Sequence, residues 1–441
     1  MTNSTLQKNK SVNTLLPEDR PVHDWYRFIL SFPPHLVRTY LDKFAVSQTE
    51  RVLDPFCGTG TTLVECKKRG IPSVGVEANP VAHFASRVKT DWQIDTDALL
   101  THADAVAERA TEVLRQQGII DDPLFFPVNV DVPRHTLRRL PVEGEKLLLQ
   151  NSISALPLHK TLVLLEQLQA NTPSPYAAIG QLAMAKALTT SISNLYFGPE
   201  VGVGLPRDDA PVVATWQDHV GSMAKDLTNV QALADTPTVV HLADARTVSD
   251  VLPPESIDVV ITSPPYPNEK DYTRITRLES VLLGFASTKA ELQAFKRTLL
   301  RSNSRNVYRG DDDDQWIQTF PTITQLADEI EARRIALNKT SGFERLYAKV
   351  TRLYFGGIAR HLANLRTVLR PGARLAYVVG DQASFLRVMI RTGQLIEQIA
   401  IQLGYESTGI DLFRTRLATA TKAQLREEVL TLRWPGNHHL P

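Results

Sequence analysis

Apolar and polar positions fall in blocks along this chain rather than alternating one by one. Five short apolar runs, ERVLDPF, IPSVGVEANP, TVVHLADAR, SIDVVITSPPY and ARLAYVVGD, each close on polar, glycine or proline residues. Continuous runs of this length read as strands buried on both faces. Between several of them lie segments of helical period, such as TTLVECKKRG after the first and GGIARHLANLRTVLRPG before the last. Strand and helix in alternation predict an α/β fold, a doubly wound, Rossmann-like sheet that binds ligands at the carboxyl ends of its strands. Two further strands are expected near GYESTGIDLF and EEVLTLRW.

The spacing divides the chain. From Pro80 to Val239 runs a gap of roughly 150 residues, far beyond an ordinary crossover. Its pattern is mostly helical, with prolines at the breaks. A shorter insertion follows the fourth run. The expected organisation is a loose tail over 1–20, catalytic segments over 21–95, 237–286 and 355–441, a large mainly helical insertion over 96–236 and a smaller one over 287–354. The large insertion reads equally as a target-recognition unit, an oligomerisation surface or a scaffold.

Composition narrows the class only a little. Of the 441 residues, 43% are hydrophobic and 22% charged, as in an ordinary globular protein, and no apolar run approaches the ~18 residues that cross a membrane. The polar start MTNSTLQKNK lacks the apolar core of a secretory signal, which predicts a cytoplasmic protein. A net charge of +1 excludes a global basic field, so any contact with nucleic acid must be local. With only Cys57 and Cys66, neither a disulfide framework nor a cysteine-rich zinc site can form within the chain, and no metal is expected.

Candidate chemistry begins at Asp54-Pro55-Phe56-Cys57-Gly58-Thr59-Gly60-Thr61-Thr62, which closes the first strand and opens a helix. Gly58 and Gly60 permit a tight turn whose amides approach a ligand closely. Glu77, beside Ala78 and Asn79, ends the next strand, where a carboxylate accepts from both hydroxyls of a ribose. A third glycine and a P-loop lysine are missing, which disfavours nicotinamide dinucleotides and ATP. A nucleoside without phosphate remains, and the sulfonium of S-adenosylmethionine fits, with Asp54 near its cationic methionine end and Phe56 offering an apolar face. Phe56 also reads as core packing, and Cys57 as packing beneath the turn rather than as a nucleophile. Asp244 and Ala245 end the third strand where an adenine amino group needs an acceptor; a helix N-cap is the other reading of Asp244.

The fourth strand runs into Ser263-Pro264-Pro265-Tyr266. Two prolines remove two amide donors and hold the backbone extended, leaving rigid carbonyls that the sheet does not pair. A fixed acceptor suits an amino substrate. Ser263 Oγ and the Pro264 carbonyl can hold an exocyclic NH₂ while Tyr266 stacks on a base taken out of its helix.

DPFCGTG and TSPPY together resemble the exocyclic-amino DNA methyltransferases. The resemblance covers residues 51–80 and 239–272, and more loosely LRPGARLAYVVGD and GYESTGIDLFRTR. It implies the methyltransferase sheet, S-adenosylmethionine as donor, double-stranded DNA as substrate and direct transfer to a flipped base. In that family the Ser-Pro-Pro-Tyr form accompanies chiefly N4 of cytosine, and Asp- or Asn-Pro-Pro-Tyr more often N6 of adenine. Expected partners are those of a restriction-modification system, a cognate endonuclease or a second copy of the chain. In the commonest arrangement of such enzymes the catalytic loop precedes the cofactor turn, whereas here the turn comes first. FPPHLVRTYLDKF, residues 32–44, looks like the helix that precedes the turn and covers the methionine end.

Asn268, Lys270, Tyr272, Arg274 and Arg277 after the loop, with Arg301, Arg305 and Arg309 in RSNSRNVYRG, are the expected DNA contacts. Solvated surface is the other reading of each arginine. Asp311 to Asp314 read as an exposed loop. C5-cytosine chemistry is disfavoured, because it needs a cysteine on the loop after the fourth strand. Adenine N6 or RNA as acceptor, and a catalytically silent nucleic-acid-binding protein of the same fold, remain as alternatives.

Overall fold

The computed structural model describes residues 14–28, 31–122, 132–170, 175–197, 200–268, 271–417 and 424–436. Its strands, in chain order, are β1 (Val52–Asp54), β2 (Ser73–Glu77), β3 (Leu195–Phe197), β4 (Val201–Val203), β5 (Thr238–Leu242), β6 (Ile257–Thr262), β7 (Leu369–Gly380), β8 (Glu406–Leu417) and β9 (Gln424–Arg433). Seven of them form one sheet in the order β5-β2-β1-β6-β7-β9-β8, and β3 pairs with β4 alone.

All pairings from β5 to β7 are parallel. The expected parallel sheet is therefore right for its centre and incomplete at one edge, where β9 runs antiparallel between β7 and β8. The linker joining β8 to β9 is short, and a short connection can only return the chain antiparallel. From β1 the chain moves outward to β2 and β5, then returns to β6 on the other side of β1. That reversal opens a crevice above the carboxyl ends of β1 and β6.

Period-two burial explains the layers. Leu53 and Val260 face one apolar cluster, which contains Tyr354, Phe355 and Ile358 of the helix Tyr347–Leu365 and Ile396 of the helix Thr392–Gln402. Val52, Val259 and Ile261 face the other side, against Leu36, Val37, Tyr40 and Leu41 of the helix Pro34–Lys43. The helix expected over 32–44 is thus present, started by Pro34 in its first turn.

The large insertion is helical as expected, with long helices at Thr96–Gln116, Ala155–Gln169, Pro175–Ala187 and Val212–Val230, plus the β3–β4 hairpin. Leu99, Leu164, Leu182 and Trp216 from these helices share one apolar cluster with Val81 and Phe84 of the helix Pro80–Thr90 and with Trp25. A shared core makes the insertion a continuation of the same body. The tail expected over 1–20 falls mostly outside the described residues, but Asp19 is buried and ion-paired with Arg38 at 2.7 Å, so its last residues are anchored.

A candidate active site between the glycine turn and the Ser-Pro-Pro-Tyr loop

Gly58 and Gly60 both take positive φ, at 52° and 86°, in the turn that leads from β1 into the helix Thr61–Lys67. A side chain at Gly60 would meet Cβ of Ser86 at 3.0 Å, so the turn also needs glycine for close packing. Beneath it, Asp54 Oδ1 accepts from Thr262 Oγ1 at 2.6 Å and from the amide of Phe56 at 3.2 Å. This ties the end of β1 to the end of β6. Burial lifts the Asp54 carboxyl to about 6.

Glu77 closes β2 with one carboxylate oxygen accepting from the Gly58 amide at 2.8 Å and the other from the Asn79 amide at 2.7 Å. Desolvation outweighs these bonds and raises its carboxyl to about 7. Asn79 then caps the helix Pro80–Thr90 through Val81 and Ala82.

Across the crevice, Ser263 Oγ donates to the carbonyl of Val378 on β7 at 3.2 Å. With its hydrogen spent there, the oxygen keeps its lone pairs for a donor in the crevice. Tyr266 is half-buried, and its ring lies against the backbone of Gly380, where an added Cβ would come within 2.6 Å of Cε2.

One cavity of about 1350 Å³, counted with its open mouth, joins these parts. Pro55, Phe56, Cys57, Gly58 and Thr61 of the turn, and Glu77, Ala78 and Asn79, line it together with Ser263, Pro264, Pro265 and Tyr266. Asp244, Ala245 and Tyr272 complete the expected set on its wall. Asp54, Gly60 and Thr62 are not on the wall. Asp54 and Thr62 are fully buried, so their part is to hold the turn in place. Cys57 is buried at the wall, with its thiol pushed well up by desolvation, which is the state of an inert thiol.

Asp244 serves as the N-cap after β5, accepting from the Arg246 amide at 2.8 Å, and its carboxylate also binds the Arg246 guanidinium at 2.6 Å. Phe56 packs edge-on to His361, 5.0 Å between centroids, and His361 bonds the Ala245 carbonyl at 2.6 Å and the Tyr377 hydroxyl at 2.8 Å. Burial lowers His361 to about 4, so it is neutral at physiological pH.

The expected DNA contacts divide. Arg305 and Arg309 are exposed, and Asn268 and Arg274 are partly so. Arg301 is a correction: it is 4% exposed, pairs with Asp311 at 2.9 Å and donates to the carbonyl of Arg297 at 3.1 Å, so it braces its own loop. Arg277 donates to the carbonyls of Thr273 and Leu147. Lys270 lies outside the described residues. The acidic run is a second correction. Asp313 is buried between Arg246 and Arg360, and only Asp312 of the four stands exposed. Among the described residues no cluster of potential metal ligands occurs, and no helix is long and apolar enough to cross a membrane.

Several wall residues were not anticipated from the sequence. Phe28 and Phe413 are aromatic, as is Phe32 at the start of the segment expected to cover the methionine end, and Thr59 has a buried hydroxyl without a partner among the described residues. Arg414 and Glu427 also face the cavity. Asn306 is also buried at the wall, its Oδ1 without a partner among the described residues.

This sheet order, with its ligand crevice at the reversal, is a doubly wound, Rossmann-like fold. Residues 4–86 match the family model of the N6/N4 type described as DNA methylase. The chain is similar to the Type II methyltransferase M.BsoBI of Geobacillus stearothermophilus, at 23% identity over 94% of this chain and 84% of the relative. Type II methyltransferase M.AvaI of Nostoc sp. is 21% identical over 90% of this chain and 81% of that one. Type II methyltransferase M.MjaII of Methanocaldococcus jannaschii is 38% identical over 69 residues, 15% of this chain and 13% of the relative. These matches make the chain similar to DNA methyltransferases of the N6/N4 type. The DNA methyltransferases that the chain is similar to use S-adenosylmethionine as methyl donor.

Proposed function

We propose that this protein transfers a methyl group to the exocyclic N4 amino group of cytosine in a specific sequence of double-stranded DNA. The observation that carries the reading is the Ser263–Val378 bond, which turns a serine into a committed acceptor in the cavity that holds Gly58 and Glu77. A committed acceptor suits a substrate group that donates, as an amino group does with two hydrogens, and offers nothing to a ring carbon.

Residues present in the cavity fit the methyl donor. Glu77 offers a carboxylate for ribose hydroxyls, the turn at Gly58 admits close approach of the chain, and Phe56 with Ala245 gives an apolar wall beside Asp244. When bound there, the donor supplies an electrophilic methyl on a sulfonium. Opposite it, Ser263 Oγ and the Pro264 carbonyl accept the two amino hydrogens, directing the nitrogen lone pair out of conjugation with the ring. Tyr266 stacks on the extruded base and offsets part of the few kcal/mol that flipping costs. Transfer would form the N–C bond as the donor's C–S bond breaks, and the surplus amino proton would leave to water. No covalent enzyme intermediate is needed, which accords with the inert state of Cys57 and Cys66.

Ser263→Ala and Tyr266→Ala should each abolish methyl transfer while binding of S-adenosylhomocysteine by titration calorimetry stays within about threefold. Full activity in both variants would remove the catalytic assignment. A cognate restriction endonuclease in the same system is the partner this reading suggests.

A further inference from the structure

Three strands place three side groups in a single row beside the catalytic loop. Gly380 of β7 is paired with Glu427 of β9, and Glu427 with Arg414 of β8. Residues directly opposite on antiparallel strands project to the same face. Since the Tyr266 ring occupies the place of a Gly380 side chain, the order across that face is ring, carboxylate, guanidinium. All three line the cavity.

Arg414 is held by a two-pronged bond, Nε to Glu427 Oε2 at 2.6 Å and Nη2 to Oε1 at 2.8 Å. Its side chain is only 20% exposed and that of Glu427 10%. Such a fork fixes the guanidinium plane, and Nη1 has no hydrogen-bond partner among the described residues. An oriented donor therefore stands on the same cavity wall, two strands across from the ring on which the base is proposed to stack.

We propose that Arg414, oriented by Glu427, selects cytosine over adenine by donating to the O2 and N3 edge of the extruded base; this rests on the cytosine-N4 reading. With the amino group at Ser263 and Pro264, cytosine presents two successive acceptors, N3 and then O2. Adenine in the same pose presents N1 and then a C–H. An arginine fork is matched by the first edge and left half-used by the second. Glu427 adds to the selection. Without the guanidinium in front of it, its carboxylate would face O2 and repel it.

The test uses the full chain and a duplex whose modified position has been mapped by sequencing DNA from an expression host. The ratio of kcat/KM for that duplex to kcat/KM for one carrying adenine at the position is measured for wild type, Arg414→Ala and Glu427→Gln. Losing a good bidentate contact should lower the ratio on the order of 10- to 100-fold in Arg414→Ala. A smaller drop is expected in Glu427→Gln, with S-adenosylhomocysteine affinity unchanged in both. Should Arg414→Ala fail to bind S-adenosylhomocysteine, Arg414→Lys keeps the charge without the fork and must show the same loss of ratio. N4-methylcytosine as product with an unaltered ratio in these variants would overturn the inference alone. N6-methyladenine as the wild-type product would overturn it together with the proposed function.

Discussion

The ring of Tyr266 occupies the space in which residue 380 would carry a side chain, so the bare backbone of Gly380 is what seats the proposed stacking tyrosine. Gly380→Ala would drive a methyl group to 2.6 Å from the ring and displace it. A misplacement of about 1 Å near the reacting atoms costs on the order of 100-fold in rate. The expected outcome is a kcat lowered by at least about tenfold, with S-adenosylhomocysteine affinity retained. Unchanged kcat would show that the ring needs no such seat.

Glu77 gives the site a pH dependence. Its carboxyl, lifted to about 7 by desolvation, is half protonated near neutrality, and the protonated form has less capacity to accept from ribose hydroxyls. Cofactor affinity should rise as pH goes from 6 to 8 and should be flat in Glu77→Gln, which titration calorimetry would read directly. The stability effect has the opposite sign. A carboxyl raised in the folded state binds a proton the unfolded chain has already released, so its contribution falls as pH climbs from about 4.5 to about 7.

Asp313 joins two buried or half-buried arginines, Arg246 and Arg360, and through Arg246 it steadies Asp244 at the cavity wall. Removing one member of a buried ion pair costs about 3–5 kcal/mol. Asp313→Ala should lower the thermal midpoint by a few degrees, whereas Asp312→Ala, in the exposed neighbour, should leave it unchanged within error. Equal effects of the two would contradict the ion-pair network.

The arginines of the second insertion should separate by role. Arg305→Ala and Arg309→Ala are expected to weaken DNA binding and each to reduce the slope of log K against log salt by about 1. Arg301→Ala should lower stability and leave that slope unchanged, because the side chain is spent on Asp311 and backbone carbonyls. Filter-binding titrations between low and moderate salt would distinguish the three.

What the sequence revealed was what is local. Strands β1, β2 and β6 are buried on both faces and so read as unbroken apolar runs, such as VVIT in β6, whereas β5, which reads the same way, is an edge strand with Val239 and Leu242 exposed. The two motifs were legible because their glycines and prolines carry backbone geometry in themselves. Contacts made across the sheet left no such trace. Nothing in RTRL or LREE announces that Arg414 and Glu427 meet at the cavity, since their partnership depends on the β8–β9 register. Likewise Gly380 looks like an ordinary strand end until Tyr266 is folded onto it. Arg301 and Asp313 were misread as surface for a related reason: a charge in a polar stretch gives no sign of the partner that lets it be buried.

The measurement that bears most directly on the central claim is the identity of the modified nucleoside. DNA from a methylation-deficient host expressing the protein is digested to nucleosides and analysed by mass spectrometry, beside DNA from a host expressing Tyr266→Ala. The account predicts N4-methylcytosine in the first and none in the second. N6-methyladenine, or N4-methylcytosine that persists without Tyr266, would contradict it.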